Sequence, residues 1–296
     1  MDLIDRLKGC LVGGAIGDCL GAPHEGAGPL GAVTPPTSWA ATDDTQLTLA
    51  TGRAIAERGR VDPEAIAGAL AAEFQQGRLT GLGASTRKAL GELAAGAHWA
   101  LVGRRGEMAA GNGAAARIAP VAFCLDLRSS LHRTLLRDVC RITHHSEEAY
   151  AGALAVALAV RLAIQPSTDE PWPLLARVAS RLPDSVTRDR LIELAALPDD
   201  ATIGEAGARF GTSGYAAESV PLALFASRQI ETRSLGVLLE DVIRAGGDTD
   251  TNAAIAGQIA GAHLGHAGLP PELVRQVPGL DQIIEVAQRI GPAARP

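Results

Sequence analysis

The sequence has few aromatic residues, few cysteines and no long apolar run, and each shortage argues against a class of protein. Aromatic residues make up 3% of the 296 residues, and the four cysteines include no CxxC pair. Scattered cysteines in a chain of this length do not form a disulfide scaffold, and a structural zinc site needs closer spacing. Free cysteines suit a reducing compartment, so we expect a cytoplasmic protein.

The charge balance and the hydropathy argue against two further classes. The formal net charge is −6, whereas a surface that follows nucleic acid needs clustered Lys and Arg, so a nucleic-acid partner is not expected. No segment reaches the ~20 uninterrupted apolar residues of a membrane-spanning helix, so no membrane partner is expected. The N-terminal stretch MDLIDRLKG is broken by charges, which is not the pattern of a signal peptide.

Helical periodicity is present along almost the whole chain. Leu3, Leu7 and Leu11 fall on one face of an N-terminal helix, and similar patterns recur as far as residue 264. The alternation that is typical of strands is nearly absent, so we expect an all-α fold. Two polar segments, residues 165–173 and 197–200, are candidate boundaries. Because the helical pattern resumes after each, we expect a single domain over residues 1–296.

Two acidic clusters lie near opposite ends of the chain, and each precedes an alanine-rich helical pattern. The first reads TDDT from Thr42, and the second reads GDTDT from Gly247. One Asp before a helix is explained as a cap for free N–H groups, but each cluster has more acid than a cap requires. If the fold joins the clusters, their four carboxylates cannot all stay ionised without cations. Oxygen ligands of this kind suit Mg²⁺, Mn²⁺ or Ca²⁺.

The residues around the second cluster leave two interpretations open. Gly246 and Gly247 allow a sharp turn, and an extended backbone after them would send the Asp248 and Asp250 carboxylates to the same side. The DxDT sequence is also a weak match to the aspartyl-phosphate motif of metal-dependent phosphohydrolases. That motif follows a buried strand, whereas residues 235–244 predict a helix.

A glycine-rich turn and a histidine pair are further candidates for ligand contact. Gly111, Asn112 and Gly113 form a turn that can present backbone N–H groups to a phosphate, although an ordinary loop has the same composition. His144 and His145 precede a helix and are better candidates for ligand contact than His263 and His266, a possible zinc pair three residues apart on a helix with no acidic third ligand beside it.

In five blocks, the chain resembles the ADP-ribosylglycohydrolases. The blocks occur in the family's order and are spread along nearly the whole chain: residues 9–25 (GCLVGGAIGDCLGAPHE), 42–50 (TDDTQLTLA), 111–121 (GNGAAARIAPV), 211–224 (GTSGYAAESVPLAL) and 245–265 (AGGDTDTNAAIAGQIAGAHLG). The TDDTQ and GGDTDT blocks together are highly specific. The resemblance implies an all-α orthogonal helical bundle with two divalent cations, Mg²⁺ or Mn²⁺, at the mouth of a cleft.

The resemblance also implies roles for individual residues, through their positions in these blocks. The implied metal ligands are Thr42, Asp43, Asp44, Asp248, Asp250 and Thr251. The implied catalytic carboxylates, one of which deprotonates the attacking water, are Asp43, Asp44 and Glu25. The implied substrate contacts are Gly111, Asn112 and Gly113 at the diphosphate, His144, and Ser213, Gly214 and Tyr215 near the distal ribose and adenine.

Three alanines depart from the family's pattern. Ala116 stands where relatives often have Met, and Ala109 and Ala110 stand where relatives often have Ser or Tyr hydroxyls before the glycine turn. These changes affect the expected phosphate contacts and the substrate preference. They leave the expected metal site unchanged.

The activity implied by the resemblance is hydrolysis of the bond between C1″ of ADP-ribose and a target atom. ADP-ribosyl-arginine on a protein is the leading substrate, with ADP-ribosyl-serine, O-acetyl-ADP-ribose and ADP-ribosylated nucleic acid as alternatives. The expected partners are therefore an ADP-ribosylated protein and ADP-ribose. A non-catalytic ADP-ribose-binding module is a further alternative, and the presence of every expected metal ligand argues against it.

Overall fold

The computed structural model describes residues 2–165 and 174–295, and helices make up nearly all regular structure there. The α-helices of these residues are α1 (Leu3–Gly21), α2 (Asp43–Arg58), α3 (Pro63–Gln75), α4 (Ala84–Ala94), α5 (Gly113–Ala116), α6 (Ala119–Cys124), α7 (Ser130–Arg141), α8 (Glu147–Ala163), α9 (Leu174–Ala179), α10 (Val186–Ala195), α11 (Ile203–Phe210), α12 (Ala216–Ser227), α13 (Leu235–Arg244), α14 (Thr249–Leu264), α15 (Pro271–Val274) and α16 (Leu280–Ile290). Two short strands, β1 (Arg104–Arg105) and β2 (His144–His145), pair in parallel. The predicted all-α fold is confirmed.

The buried apolar side chains form one continuous cluster that draws on helices from α1 to α16. Of the two predicted boundary segments, residues 197–200 form a turn between α10 and α11, and residues 166–173 lie outside the described residues. The single domain over residues 1–296 stays a prediction. The continuous apolar cluster is consistent with it, because a single domain requires one shared core. All four cysteines are free and buried. Within the described ranges no helix is long and apolar enough to cross a membrane.

Helices α1 and α14 pack backbone against backbone through small residues at four-residue spacing. The row on α1 is Gly9, Gly13, Gly17 and Gly21, and the facing row on α14 is Gly261, Gly257, Ala253 and Thr249. A Cβ added at Gly17 would overlap the carbonyl group of Ala253, and one at Gly13 would overlap the carbonyl oxygen of Gly257. The rows run in opposite directions, so the end of α1 lies beside the start of α14.

The segment that follows α1 is also fastened to the start of α14. The Gly26 N–H donates to the carbonyl of Gly247 at 2.8 Å, and the Gly247 N–H donates to the carbonyl of Ala27 at 2.8 Å. Gly246 and Gly247 have φ angles of 76° and 80°, which favour glycine, so the sharp turn predicted there is present. Glu25 is thereby held near the first residues of α14.

The Gly17→Ala variant is expected to lose about 1–3 kcal/mol of unfolding free energy, because its methyl group forces α1 away from α14. Gly68 is the matched control: it lies on an exposed face of α3, and no heavy atom lies within 4 Å of an added Cβ. Gly68→Ala should gain up to about 1 kcal/mol from helix propensity. Urea unfolding of both variants measures the difference. A similar effect in the two variants would contradict the close packing of α1 and α14.

Candidate metal centre and ligand cleft

The two acidic clusters meet in one cleft of about 210 Å³. They meet because α2 and α14 both begin beside the C-terminal end of α1. Oxygen atoms from two sets of three carboxylates lie within 4.8 Å of one another; the sets are Asp18, Asp44, Asp250 and Glu25, Asp248, Asp250. Asp43 lines the same cleft. We call these six side chains the acidic centre.

The start of α14 is helical and not extended. Asp248 is the N-cap residue of α14, with φ −84° and ψ 71°, and Asp250 already lies in the first helical turn. The extended backbone considered for this segment is therefore absent, and Asp248, Asp250 and Thr251 open the helix instead. The helix itself brings the two carboxylates together, since the N-cap and the first turn of a helix face the same end.

Asp18 is part of the acidic centre, and the sequence analysis missed it. It is fully buried near the end of α1, where its oxygens accept from the hydroxyls of Thr42 at 2.7 Å and of Thr45 at 2.5 Å. The backbone N–H groups of the same two threonines also donate to Asp18. Asp18 therefore caps α2 from another helix. Its signal in the sequence was an acidic residue within an otherwise apolar, glycine-rich helix.

The predicted threonine ligands have different surroundings. Thr42 is the N-cap residue of α2, and its oxygen accepts from the Asp44 N–H at 3.3 Å while its proton goes to Asp18. One lone pair of that oxygen is left for a cation. Thr251 lines the cleft directly and is 7% exposed.

Burial and mutual repulsion raise the pKa values of the acidic centre. Burial, followed by the charge on Asp18, raises the pKa of Asp43 to about 7. Burial, followed by a hydrogen bond and charge from Asp248, raises the pKa of Asp250 to about 9. The pKa of Asp44 lies well above its ordinary value, mainly through burial and the charge on Asp43. Without cations the centre therefore cannot carry its full negative charge at neutral pH.

The donor set of the acidic centre fits hard divalent cations. It consists of carboxylate and hydroxyl oxygens, and the described residues that line the cleft include no lysine or arginine to neutralise them. One oxygen of Asp44 is buried and has no hydrogen-bond partner, which is costly unless a cation contacts it. Mg²⁺ and Mn²⁺ prefer such oxygen ligands, whereas zinc in proteins prefers nitrogen and sulfur.

The glycine turn at residues 111–113 lies in the same cleft and contacts the acidic centre. The side-chain amide of Asn112 donates to Asp248 at 2.7 Å and to the Ser219 hydroxyl at 3.0 Å. Asn112 is the N-cap residue of the short helix α5. A Cβ at Gly111 would lie 3.1 Å from Nε2 of His144, so the turn leaves little room for larger residues.

His144 is buried at the cleft wall, where its surroundings determine which ring nitrogen carries the proton. The Arg117 guanidinium donates to the Thr143 hydroxyl oxygen at 2.8 Å, and that oxygen lies 2.7 Å from Nδ1 of His144. The Thr143 proton is satisfied if it is donated to Nδ1, which places the ring proton on Nε2. Burial, followed by the charges on Arg117 and His145, lowers the pKa of His144 to about 3. His144 is therefore a neutral N–H donor to the cleft.

Of the three substrate contacts expected at residues 213–215, only Gly214 lines the cleft. Gly214 lines the cleft, and its carbonyl accepts from the Asn112 N–H at 3.0 Å. Ser213 donates its hydroxyl to Glu218 at 2.6 Å, and Tyr215 lies beside Arg190, with 5.9 Å between the guanidinium carbon and the ring centre. Neither Ser213 nor Tyr215 is among the residues that line the cleft.

Known proteins share both the sequence pattern and the fold. A family model described as ADP-ribosylglycohydrolase matches residues 1–295. The chain belongs to the ADP-ribosylglycohydrolase family. Members of this family are hydrolases. The residues of the acidic centre lie within the part of the chain that the family model matches.

Two relatives have names that describe their activity. The ADP-ribosylarginine hydrolase Tri1 of Pseudomonas putida is 30% identical over 309 residues, which cover 97% of this chain and 78% of that protein. The ADP-ribosylhydrolase ARH3 of Danio rerio is 28% identical over 339 residues, which cover 97% of this chain and 90% of that protein. A solved structure titled "ADP-ribosylglycohydrolase-related protein complex" superposes with a TM-score of 0.76 at 25% identity, covering 99% of both chains.

The Asp18→Asn variant is expected to weaken Mg²⁺ binding roughly 10- to 100-fold, the usual effect of removing a partner that orients metal ligands. An amide cannot accept from all the Thr42 and Thr45 donors, so the start of α2 loses its fixed position. Isothermal titration calorimetry with Mg²⁺ measures the change. Asp62→Asn is the matched control, because Asp62 caps α3 outside the cleft. Equal Mg²⁺ affinity in both variants would show that Asp18 does not position the metal ligands.

The thermal stability of the metal-free protein is expected to fall as the pH rises from about 7 to about 9. Unfolded His has a pKa of about 6.5, so the opposing contribution of His144, whose folded pKa is about 3, is largely complete below this range. Unfolded Asp has a pKa of about 3.9, whereas Asp43 and Asp250 have folded values of about 7 and about 9, so the folded state holds more protons in this range. Thermal unfolding in EDTA measures the trend. Adding Mg²⁺ should raise Tm more at high pH than at low pH.

Asp250→Asn is the control for this pH dependence. The variant lacks one carboxyl group with a raised pKa, so its metal-free Tm should fall less with rising pH. A Tm that rises with pH in the metal-free wild-type protein would contradict the assigned electrostatics.

Proposed function

We propose that the protein is a Mg²⁺- or Mn²⁺-dependent hydrolase that removes ADP-ribose from modified arginine residues of a protein. The observation that carries the proposal is the acidic centre, which shares one cleft with the glycine turn at residues 111–113. An anionic, hydroxyl-rich ligand such as ADP-ribose needs both elements. We propose further that residues 1–296 act as one domain, which the continuous core and the match over residues 1–295 support.

We assign two divalent cations to the acidic centre. The proposed ligands are Thr42, Asp43, Asp44, Asp248, Asp250 and Thr251, and Asp18 orients them from behind. When bound, the cations would supply positive charge to the ribose hydroxyls and to the attacking oxygen. Asn112 would hold Asp248 in place through its 2.7 Å hydrogen bond.

The cleft residues would then bind and orient the substrate. In this arrangement, the N–H groups of Gly111 and Gly113 face the diphosphate, since that of Asn112 donates to the Gly214 carbonyl, and Nε2–H of His144 donates to an oxygen of the ligand. Because the pKa of His144 is lowered to about 3, this histidine serves as a donor and not as the base. Gly214 contributes a close backbone surface next to Asn112. We propose that Ser213 supports this surface through Glu218, while Tyr215 borders the distal ribose and adenine.

In the proposed reaction, a water molecule attacks C1″ as the bond from C1″ to the arginine nitrogen breaks. One proton of the water passes to a carboxylate, and the departing nitrogen takes up a proton, so that ADP-ribose and unmodified arginine are released. Asp43, Asp44 and Glu25 are the candidate bases. We favour Glu25 because it is exposed at the cleft, whereas Asp44 is buried and suited to holding a cation.

Arginine is the target that fits the charge of the cleft. The guanidino group is cationic, and the described lining residues include several carboxylates but no lysine or arginine. The Tri1 relative, named an ADP-ribosylarginine hydrolase, supports the same choice. We infer a cytoplasmic location from the four buried, free cysteines, which suit a reducing compartment.

The wild-type protein is expected to release ADP-ribose from ADP-ribosyl-arginine protein with Mg²⁺ or Mn²⁺, and to do so faster than from ADP-ribosyl-serine, O-acetyl-ADP-ribose or ADP-ribosylated DNA. Chromatographic measurement of free ADP-ribose across this panel ranks the substrates. EDTA should abolish release, since the acidic centre needs cations to stay ionised.

The test variant for the panel is Asp248→Asn, which removes one carboxylate inside the cleft. Its matched control is Asp62→Asn, which removes one carboxylate outside the cleft. The first should lose most activity together with Mg²⁺ affinity, and the second should keep both. If ADP-ribose is released faster from another linkage, the assignment of ADP-ribosyl-arginine as the substrate is wrong. Binding of ADP-ribose without release from any substrate would replace the hydrolase with a binding module.

A further inference from the structure

The N-terminus of α4 forms part of the cleft wall and has no cap. Gly83 is its N-cap residue and offers no side chain, so no side-chain hydrogen bond closes this end of the helix. The backbone N–H groups of Ala84, Ser85 and Thr86 have no acceptor within the described part of the chain. The first N–H groups of a helix need an acceptor from outside the helix, and they carry a partial positive charge.

Two hydroxyl groups at the same helix end also have no partner. Ser85 is 9% exposed and Thr86 is 3% exposed, and neither hydroxyl makes a hydrogen bond to a described residue. A helical threonine commonly donates to the carbonyl one turn earlier, which here is that of Leu82. That carbonyl accepts from the Arg87 guanidinium at 3.1 Å, and Leu82 lies outside the helix, before the N-cap residue Gly83. The Thr86 hydroxyl therefore has no partner among the described residues and is free to bind a ligand in the cleft.

The start of α4 lies between the acidic centre and the glycine turn. The Thr86 hydroxyl oxygen is 3.3 Å from the position that a Cβ on Gly113 would take, and Cε1 of His144 is also 3.3 Å from that position. At the other side, a Cβ on Gly81 would lie 3.1 Å from an oxygen of Asp43. The helix end therefore faces the part of the cleft that lies next to the glycine turn and His144.

The chemistry of this helix end is opposite to that of the acidic centre. It offers three N–H groups and two hydroxyls, which together with the helix dipole favour an anionic oxygen. The acidic centre favours cations. A ligand that carries both ribose hydroxyls and a phosphate would satisfy the two regions at once, with its phosphate at the helix end.

We propose that the N-terminus of α4, with the hydroxyls of Ser85 and Thr86, is an anion subsite that binds a phosphate of the ADP-ribose diphosphate beside the glycine turn. The subsite rests on the proposed function, because the diphosphate comes from the proposed ligand. It gives this chain hydroxyl donors to the diphosphate, whereas Ala109 and Ala110 before the glycine turn have none.

The test compares Thr86→Val, which removes the hydroxyl at nearly constant volume, with Thr86→Ser, which retains it. Calorimetric titration with ADP-ribose at fixed, saturating Mg²⁺ should show a roughly tenfold or larger rise in Kd for Thr86→Val, because a hydrogen bond to a charged oxygen is lost. Thr86→Ser should retain most of the affinity. Ser85→Ala should raise Kd in the same direction. Thr134→Val, on the exposed face of α7, is the control.

Two further measurements separate a phosphate contact from general damage. The Mg²⁺ affinity and Tm of Thr86→Val should equal those of the wild-type protein, since the hydroxyl has no partner within the fold. An unchanged Kd for ADP-ribose overturns the subsite, and so does a loss of Mg²⁺ affinity that matches the loss of ADP-ribose affinity. An unchanged Kd with a lower kcat would place α4 against the leaving group instead and would also overturn it.

The failure of the subsite is distinguishable from the failure of the proposed function. If the wild-type protein binds ADP-ribose and the Thr86 variants bind it equally well, only the subsite is refuted. If the wild-type protein binds no ADP-ribose with Mg²⁺ present, the proposed function and the subsite are both refuted.

Discussion

The contact between the backbones of α1 and α14 is the constraint on which the rest of the site depends. Because glycines face glycines and alanine along this contact, the end of α1 reaches the first turn of α14 with no side chain between them. Asp18 is thereby brought within ligand distance of Asp250, although the two residues are far apart in sequence. The acidic centre therefore depends on close helix packing as well as on its carboxylates. The small residues matter because they let the two helices approach closely, and not because they make the chain flexible.

The site also concentrates unfavourable interactions that a bound cation would relieve. Buried carboxylates repel one another, and one oxygen of Asp44 has no partner. Each feature costs stability in the cation-free protein. The surrounding fold tolerates this cost because long, buried helices such as α8 and α14 supply a continuous apolar core. Binding cations would relieve the repulsion and give the Asp44 oxygen a partner.

Much of the fold could be predicted from the sequence, whereas the hydrogen bonds between side chains of different helices could not. Helical periodicity is local, and the TDDT and GDTDT clusters carry more acid than capping needs, so both features are visible without a structure. Asp18 is different, since its partners Thr42 and Thr45 come from another helix. The sequence left the backbone of the Asp-x-Asp segment open between extended and helical, and the structure has it as the start of α14, immediately after the glycine turn. The unpartnered hydroxyl of Thr86 depends on where α4 begins, and no sequence pattern specifies that position.

The bond from Asn112 to Asp248 has a consequence for cooperativity. Asn112 belongs to the glycine turn, and Asp248 belongs to the acidic centre, so one amide group joins the anion-facing and the cation-facing parts of the cleft. A ligand that orders the turn also orders Asp248, and a cation held by Asp248 orders the turn. Thermodynamic linkage makes this effect reciprocal: whatever factor the cation contributes to the affinity for the nucleotide, the nucleotide contributes to the affinity for the cation.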